Sequence, residues 1–334
     1  MTEHKICVLG SGAWGTAIAD MLARKGCEVK IYGVCENEID EINNFGTNAR
    51  YFGEKFKIAS GVEASLNLDY CIKNANAAVF AVPSFAIKET AEKIADKISE
   101  KTIIVNVAKG FDGETKEPLS RIIKESLPKN YRGNVVSLLG PSFAEEVAER
   151  QYTAITVSGE DESVLKRVQK LFSCGYFRVY VNSDYIGTEY CAALKNVIAL
   201  ACGMADGLGL KNNSRAALIT RGLAEIVRFV KFFGGNEKTC YGLAGVGDLM
   251  LTCSSTASRN YTAGYKISST SAEQFFKENT KTVEGVFACT IAYEIAKENN
   301  IYSPIISSVH SVLFENATPR DEIEKLMNGD LKSE

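Results

Sequence analysis

A glycine-rich turn near the amino terminus has the composition of a phosphate-binding site. The turn consists of Gly10, Ser11, Gly12, Ala13, Trp14 and Gly15. Gly10 permits a tight turn, Gly12 lets the backbone approach a pyrophosphate, and Gly15 lets a helix pack closely on a strand. An apolar run precedes the turn and an amphipathic helical pattern follows it, so unpaired N–H groups would face the phosphates. The pattern therefore predicts a dinucleotide site rather than a structural turn.

An acidic residue after the second apolar run bears on which dinucleotide binds. Glu36 lies 21 positions after Gly15, about where a carboxylate hydrogen-bonds the adenosine ribose hydroxyls. The segment 33–36 contains no arginine that could hold a 2′-phosphate, so it favours NAD over NADP. Glu36 could equally be a solvated residue at the start of a helix, and NADP stays possible.

Histidine is almost absent, so acid-base chemistry must rely on another residue type. The chain contains only His4 and His310, which are too few for a Ser-His-Asp hydrolase or a His-ligated metal site. We therefore expect no metal, and we expect lysine to move the proton. Lys195 interrupts an apolar helical pattern, where it is either a desolvated proton donor or a side chain that extends to the surface.

Short apolar runs alternate with amphipathic helical patterns through the first half of the chain. This alternation predicts an α/β fold with a doubly wound, mostly parallel sheet of the Rossmann type. The predicted strands are residues 5–9, 28–32, 77–82, 102–107, 135–139, 153–157 and 177–181. The clearest predicted helices between them are residues 13–25 and 85–98.

The second half of the chain carries only helical patterns. The predicted helices are residues 187–205, 214–233, 272–277, 287–299 and 305–314. We expect the boundary in the polar stretch 182–184. This gives a Rossmann domain for NAD at residues 1–184 and an all-α domain for substrate binding and catalysis at residues 185–334.

Bulk composition narrows the possible partners and compartment. A net charge of -3 gives no electrostatic reason to expect nucleic acid. The ten cysteines form no CxxC pair and lie mostly in apolar runs, as expected for reduced thiols. No apolar run is long enough to span a bilayer, and no signal-peptide pattern precedes the first predicted strand. We therefore expect a cytoplasmic protein without a membrane span.

Eight segments along nearly the whole chain point to one family. They are GSGAWGTA from Gly10, VAKGF from Val107, GPSFAEEVA from Gly140, ALKNVIALACGMADGLG from Ala193, ITRGLAEI from Ile219, GLAGVGDLMLTC from Gly242, SRNY from Ser258 and VEGV from Val283. In content and order they resemble the NAD(P)-dependent glycerol-3-phosphate dehydrogenases of the bacterial type. The resemblance implies reversible hydride transfer between NAD(P)H and dihydroxyacetone phosphate, giving sn-glycerol 3-phosphate for glycerophospholipid synthesis. It also implies a homodimer.

The resemblance implies three catalytic residues. Lys195 corresponds to the family's proton-transfer lysine, and Lys109 to a second lysine that touches both substrate and cofactor. Asp248 would orient a lysine ammonium and a substrate hydroxyl, although as the residue after a glycine it could also be a helix N-cap. Thr252 lies four residues further on, on the same helical face, and would assist.

A local cluster must bind the phosphate of the substrate, because the chain is slightly acidic overall. Ser258, Arg259 and Asn260 supply a hydroxyl, a guanidinium and an amide in sequence, and a helix starting there would add N–H groups. Such a triplet on a surface would normally mean little. The resemblance supports it as the phosphate site and adds Gly140 and Ser142 as substrate contacts.

The remaining implied positions concern the cofactor. The predicted set is Gly10, Gly12, Ala13, Trp14, Gly15, Glu36, Tyr51, Lys109, Ala144, Arg259, Thr282 and Glu284. Two departures from the family matter. Val34 and Cys35 stand where bacterial members usually have a basic residue or histidine, which again favours NAD. Thr282 replaces the usual valine.

Two other functions remain open from the sequence. A related 3-hydroxyacid or 6-phosphogluconate dehydrogenase would have a similar build, although the GVGDLMLTC and SRN segments argue against it. A non-catalytic dinucleotide sensor would need the glycine-rich turn but would not need Lys109, Lys195 and Asp248 together.

Overall fold

The computed structural model describes residues 4–279 and 282–329. The chain forms two compact units, Met1–Ala108 with Glu117–Tyr185, and Lys109–Lys116 with Ile186–Glu334. The expected boundary at residue 184 lies next to the observed one. The structure groups residues 109–116 with the second unit, whereas the sequence-based division placed them in the first domain.

Three residues of the segment 109–116 hold it to the rest of the second unit. Lys109 Nζ lies 2.8 Å from Asp248 Oδ2. The Phe111 ring centroid lies 5.3 Å from that of Tyr190. Lys116 also forms ion pairs with glutamates of a helix in the second unit. The sequence did not predict that residues 109–116 pack in the second unit, because this segment shows neither helical nor strand periodicity.

Within the described residues, the first unit contains one sheet of eight strands. The strands are β1 Lys5–Leu9, β2 Glu28–Tyr32, β3 Val62–Ser65, β4 Ala77–Phe80, β5 Ile103–Asn106, β6 Val135–Leu139, β7 Thr153–Ser158 and β8 Phe177–Asn182. Their order in the sheet is β3-β2-β1-β4-β5-β6-β7-β8. Neighbouring strands are parallel except for β6 and β7. The predicted doubly wound, mostly parallel sheet is confirmed.

Strand β1 lies inside the sheet, between β2 and β4, and is covered on both faces. Ile6 and Val8 join one apolar cluster, whereas Cys7 and Leu9 join another. Side chains of a strand alternate between the two faces of a sheet, so both clusters come from one short apolar run. This burial fixes β1, and the turn that follows it begins from a rigid strand.

Helices connect the strands of the first unit. They are α1 Ala13–Arg24, α2 Glu36–Phe45, α3 Ala49–Phe52, α4 Leu68–Ile72, α5 Ile87–Ile94, α6 Leu119–Ser126, α7 Ala144–Ala148 and α8 Glu162–Phe172. The predicted helix 13–25 is confirmed as α1. The predicted helix 85–98 is shorter in the structure: a 3₁₀ turn at Ser84–Ala86 precedes α5, and α5 ends at Ile94.

The second unit is built from helices, which confirms the predicted all-α second half. They are α9 Tyr185–Gly207, α10 Asn212–Phe232, α11 Asp248–Cys253, α12 Arg259–Ser269, α13 Ala272–Glu278, α14 Glu284–Asn299, α15 Pro304–Phe314 and α16 Pro319–Met327. Every residue of α9 from Gly187 to Ala205 is buried, so this helix is the core of the unit. Across residues 4–279 and 282–329, none of the helices has the length and hydropathy needed to cross a bilayer.

Two glycines let α9 and α12 approach closely. A Cβ atom on Gly203 would lie 2.0 Å from the carbonyl oxygen of Tyr261, and one on Gly264 would lie 2.1 Å from that of Leu200. No side chain fits at these distances, so the two backbones touch. The close crossing brings the start of α12 beside the middle of α9.

A buried carboxylate links α10 to α15 and predicts a pH-dependent stability. Glu225 accepts hydrogen bonds from the backbone N–H groups of Ile305 (2.7 Å) and Ile306 (3.1 Å) at the start of α15. Burial raises the pKa of Glu225 from 4.5 to about 7, although both backbone bonds lower it. A raised pKa favours the folded chain at low pH, and this contribution disappears as the pH rises through about 7.

We expect Glu225→Gln to remove this pH dependence. The free energy of unfolding of the native chain should lose about 3 kcal/mol relative to the variant between pH 4.5 and pH 8, as the shift from 4.5 to about 7 requires. The variant also leaves one of the two N–H groups without an acceptor, a pH-independent cost of about 1–3 kcal/mol. Urea unfolding across this pH range measures the difference. Parallel curves for the two proteins would contradict the prediction.

Candidate active site

Lys195 lies in the buried middle of α9. Only 5% of the residue is exposed, so the alternative that its side chain extends to the surface is wrong. Its Nζ donates to Oδ1 of Asp248 at 2.8 Å and to Oγ1 of Thr252 at 2.6 Å. A buried ammonium requires such partners, because an unpaired charge in the interior is strongly unfavourable.

Asp248 holds two lysines with one carboxylate. Its Oδ1 faces Lys195, and its Oδ2 accepts from Lys109 Nζ at 2.8 Å. Asp248 is 1% exposed, whereas the Lys109 side chain is 20% exposed. The cluster therefore carries two positive charges and one negative charge, with Lys109 on its more open side. The sequence predicted these three residues one by one. It did not show that a single carboxylate contacts both lysines.

The start of α11 sets the geometry of this cluster. Asp248 is the first residue of α11, and the N-cap is Gly247, so the N-cap alternative for Asp248 is wrong. One helical turn further on, Thr252 donates its hydroxyl hydrogen to the carbonyl oxygen of Asp248 at 2.6 Å. The predicted shared face is confirmed. This bond leaves the lone pairs of the hydroxyl oxygen to accept from Lys195.

The environment makes Lys195 a weaker base than an ordinary lysine. Its pKa is lowered from 10.5 to about 8. Burial is the largest cause, the Asp248 carboxylate opposes it, and the positive charge of Lys109 lowers the pKa further. A group with a pKa near the working pH can both release and take up a proton, which is what general acid-base catalysis needs.

The Ser258, Arg259 and Asn260 triplet opens α12, as expected for a helix N-terminal anion site. The Ser258 hydroxyl is the N-cap and accepts from the N–H of Tyr261 at 3.2 Å. Arg259 is exposed, whereas Asn260 is buried. Exposed guanidinium and helix N–H groups can bind a phosphate. Ser258 and Asn260 are instead engaged within the protein.

The amide of Asn260 connects α12 to two other helices. Its Nδ2 donates to Oδ1 of Asn196 at 2.9 Å, and its Oδ1 accepts from the N–H of Gly285 at 2.8 Å. Asn196 directly follows Lys195 in α9 and is 4% exposed. Sequence reasoning did not select Asn196. The sequence feature that could have identified Asn196 is that it is a second polar residue in the apolar helical pattern that contains Lys195.

The glycine-rich turn has the shape that a dinucleotide requires. Gly10 has φ +118°, and a Cβ atom there would lie 2.5 Å from the carbonyl oxygen of Ala81. A Cβ atom on Gly15 would lie 2.1 Å from the carbonyl oxygen of Gly10, whereas one on Gly12 would meet nothing within 4 Å. The surface over Gly12 is open, and α1 begins at Ala13 without a side-chain cap. Backbone N–H groups at this helix start are thus available for a pyrophosphate.

The two predicted residues beyond the turn differ in their surroundings. Glu36 is the exposed first residue of α2. Tyr51 lies in α3, and its hydroxyl lies 3.3 Å from Oε1 of Glu38, a buried carboxylate that sequence reasoning did not select. Burial, followed by Glu38, raises the pKa of Tyr51, so its hydroxyl stays protonated at neutral pH.

The other predicted positions lie at the starts of helices or next to strands. Gly140 follows β6 with φ +150°, and Ser142 Oγ donates to its carbonyl oxygen at 3.2 Å. Ala144 is the first residue of α7. In the second unit, Glu284 is the first residue of α14, and the half-buried Thr282 precedes it by two positions. Among the residues that the structure describes, no group of three or more His, Cys, Asp or Glu could hold a metal ion.

Known proteins are similar to this chain over its whole length. Residues 5–165 match the model of the NAD-dependent glycerol-3-phosphate dehydrogenase N-terminus, and residues 184–324 match that of its C-terminus. The chain is 40% identical over 335 aligned residues to glycerol-3-phosphate dehydrogenase [NAD(P)+] of Streptococcus agalactiae serotype III, covering 100% of this chain and 99% of that protein.

Solved structures agree with this assignment. The crystal structure of glycerol-3-phosphate dehydrogenase from Coxiella burnetii has a TM-score of 0.91 at 34% identity, covering 98% of this chain and 99% of that one. Glycerol-3-phosphate dehydrogenase of Plasmodium falciparum has a TM-score of 0.88 at 27% identity, with 99% and 97% coverage. The alternative of a related hydroxyacid or phosphogluconate dehydrogenase is thereby set aside: the chain belongs to the NAD-dependent glycerol-3-phosphate dehydrogenase family.

Proposed function

We propose that this chain is a glycerol-3-phosphate dehydrogenase that interconverts dihydroxyacetone phosphate and sn-glycerol 3-phosphate with NAD(H), and with NADP(H) as a possible second cofactor. The observation that carries the proposal is the buried cluster of Lys195, Asp248 and Lys109 in a chain of this family. A protein that only sensed a dinucleotide would have no use for a buried lysine with a lowered pKa.

Lys195 moves the proton in this proposal. An ammonium group has three hydrogens, of which one points to Asp248 and one to Thr252. The third is available to the carbonyl oxygen at C2 of dihydroxyacetone phosphate. In the reducing direction Lys195 gives up this proton as negative charge develops on that oxygen. In the oxidising direction the neutral amine takes it back from the hydroxyl.

Lys109 and Asp248 support the same step. Lys109 is the more exposed lysine, so its ammonium polarises the carbonyl and keeps the pKa of Lys195 low. Asp248 fixes the direction in which both ammonium groups point. The carboxylate also limits how far the Lys195 pKa falls, so that the lysine is still protonated near neutral pH.

The nicotinamide cofactor, when bound, supplies the hydride or accepts it. The open backbone over Gly12 and the uncapped start of α1 support pyrophosphate binding there by Gly10, Ala13, Trp14 and Gly15. The proposed further cofactor contacts are Tyr51, Lys109, Ala144, Arg259, Thr282 and Glu284, whereas Glu36, exposed at the start of α2, is left out. The first unit is accordingly the proposed NAD-binding domain, and the second the proposed substrate and catalytic domain.

Arg259 and the start of α12 bind the substrate phosphate in this proposal. Arg259 is exposed at a helix N-terminus, where guanidinium and backbone N–H groups act together on an anion. Ser258 and Asn260 hold the start of α12 in place, and Asn260 links it to the residue after Lys195. The phosphate thereby positions the reacting carbon. Gly140 and Ser142 are proposed as further substrate contacts.

We expect Arg259→Ala to raise the KM for dihydroxyacetone phosphate about a hundredfold, as loss of a charge-assisted bidentate contact costs about 2–3 kcal/mol. The kcat should fall much less, because the proton donor is untouched. Steady-state kinetics with NADH measure both constants. Arg167→Ala, on α8, is a control that should leave them unchanged. An unchanged KM for Arg259→Ala would contradict the phosphate assignment.

A substrate panel tests the proposed activity. The purified chain is assayed with NADH on dihydroxyacetone phosphate, and with NAD on 3-hydroxyisobutyrate and 6-phosphogluconate. We expect turnover only on dihydroxyacetone phosphate. Turnover on another substrate would overturn the assignment, and tight NADH binding without any turnover would favour the sensor alternative.

The cellular setting is part of the proposal. We infer that the product sn-glycerol 3-phosphate supplies glycerophospholipid synthesis in the cytoplasm and that the enzyme works as a homodimer. Sedimentation equilibrium tests the dimer, and loss of glycerophospholipid synthesis after deletion of the gene tests the role. A monomer, or an unaffected lipid content, would contradict the corresponding statement.

A further inference from the structure

A buried carboxylate lies directly beside the glycine-rich turn. Oε2 of Glu38 accepts a hydrogen bond of 2.6 Å from the hydroxyl of Ser11, the residue between Gly10 and Gly12. Glu38 lies in the first turn of α2, and only 11% of its side chain is exposed. Glu36, two residues earlier, is exposed to solvent instead of buried beside the turn.

Two side chains fix Ser11, and through it Glu38. Asn48 Nδ2 donates to the Ser11 carbonyl oxygen at 2.8 Å and to Thr16 Oγ1 at 2.9 Å. The hydroxyl of Thr16 donates to the same carbonyl oxygen at 3.1 Å. Asn48 and Thr16 are fully buried. Asn48 and Thr16 thus hold the backbone of Ser11 in place. The Ser11 hydroxyl in turn fixes the Glu38 carboxylate beside the turn.

The other oxygen of Glu38 faces two residues of α3. Its Oε1 lies 3.2 Å from Arg50 Nη1 and 3.3 Å from the hydroxyl of Tyr51. The Arg50 side chain is 70% exposed, so its ion pair with Glu38 is largely solvated and weak. A dinucleotide arriving at the turn therefore meets a fixed negative charge and a guanidinium that is free to turn away.

We propose that Glu38, held by Ser11, selects NAD(H) over NADP(H), and that Glu36 does not. The inference rests on the proposed dinucleotide binding at the turn. In Rossmann folds the carboxylate that follows the second strand accepts hydrogen bonds from the adenosine ribose, and this ribose lies beside the glycine-rich turn. Of the two carboxylates in the first turn of α2, Glu38 is the one bonded to the glycine-rich turn. Its charge repels a 2′-phosphate but accepts from a 2′-hydroxyl.

Calorimetry with adenosine nucleotides tests this without any turnover. The probes are 5′-AMP, 2′-deoxy-5′-AMP and adenosine 2′,5′-bisphosphate. The proteins are the native chain, Glu38→Gln, the control Glu36→Gln and Ser11→Ala. Because no probe contains nicotinamide or substrate, a chain that failed to reduce dihydroxyacetone phosphate would still report on Glu38. Fluorescence of Trp14, the single tryptophan, checks by thermal unfolding that each variant is folded.

In the native chain we expect 5′-AMP to bind at least about tenfold more tightly than the bisphosphate, because a like charge opposes the second phosphate. 2′-Deoxy-5′-AMP should bind severalfold more weakly than 5′-AMP. Glu38→Gln should tighten bisphosphate binding about tenfold relative to 5′-AMP. Glu36→Gln should change neither ratio. Ser11→Ala, which frees the carboxylate but keeps its charge, should reduce the preference for 5′-AMP over the deoxynucleotide.

Three results would overturn the proposal. One is a native chain that binds the bisphosphate as tightly as 5′-AMP, which needs no variant. The second is a folded Glu38→Gln variant in which the affinity for the bisphosphate relative to 5′-AMP equals that of the native chain. The third is a shift produced by Glu36→Gln instead. If Glu38→Gln does not fold, the native series and Ser11→Ala decide the matter.

Discussion

Replacing Lys195 with methionine is expected to lower kcat for dihydroxyacetone phosphate reduction about a thousandfold, the usual range for loss of a general acid. Methionine fills much of the same volume without a proton to give. Since Asp248 and Lys109 remain as an ion pair, the fold should survive. The KM should change little, because Arg259 and the start of α12, which bind the phosphate in the proposed scheme, are unchanged. Stopped-flow oxidation of NADH measures the chemical step directly.

A surface lysine of the same unit supplies the control for Lys195→Met. Lys231 lies on α10, is 61% exposed at its side chain, and pairs with Glu237 at 3.0 Å. Lys231→Met makes the same chemical change on the surface and should keep native kcat. Loss of a general acid is expected to lower turnover at least about a hundredfold. If Lys195→Met retained a tenth or more of native turnover, another group would therefore move the proton.

Asp248→Asn is expected to damage both activity and stability. The amide has the shape of the carboxylate but no charge, so two ammonium groups would lie side by side with no counter-charge. Removing one partner of a buried ion pair costs about 3 kcal/mol or more in free energy of unfolding. The pKa of Lys195 should fall below about 8, because the Asp248 carboxylate is the group that raises it. We expect kcat at neutral pH to fall at least about a hundredfold.

Two measurements separate these effects of Asp248→Asn. Urea unfolding gives the change in stability, and the pH profile of kcat/KM gives the change in the Lys195 pKa. Glu237→Gln, which breaks an exposed ion pair, is the matched control and should cost under about 1 kcal/mol. A variant with native stability, or with an unshifted profile, would show that Asp248 does not hold the two lysines as described.

Local patterns in the sequence predict most of the fold. Buried strands such as β1 and β5 are nearly continuous apolar runs, and α9 is a long and mostly apolar helix, so each is visible without tertiary information. Strand β3 was missed because it has four residues, two of them polar, at the edge of the sheet. The short helix α11 was implied only by the spacing of Asp248 and Thr252, since its six residues give less than two turns of pattern.

Tertiary contacts in the site could not be predicted in the same way. Lys195 and Asp248 are 53 positions apart, and only the packing of α11 on the unit's core brings them together. Spacing from Gly15 favoured Glu36 as the ribose carboxylate, but spacing does not show which side of α2 faces the turn. Asn260 fits a phosphate site by residue type, yet its amide is used to join α9, α12 and α14. Residue types thus indicate the chemistry, and packing decides which groups are available for it.

The pH dependence of kcat/KM for sn-glycerol 3-phosphate oxidation tests the role of Lys195 most directly. Oxidation needs the neutral amine, which forms as the pH rises through the pKa of Lys195. The rate constant should therefore rise tenfold per pH unit at low pH and level off with an apparent pKa of about 8. Reduction should show the opposite trend, with loss of activity above the same pH. An inflection near 10.5, the pKa of an ordinary lysine, or a flat profile between about pH 6 and 9, would contradict the assignment.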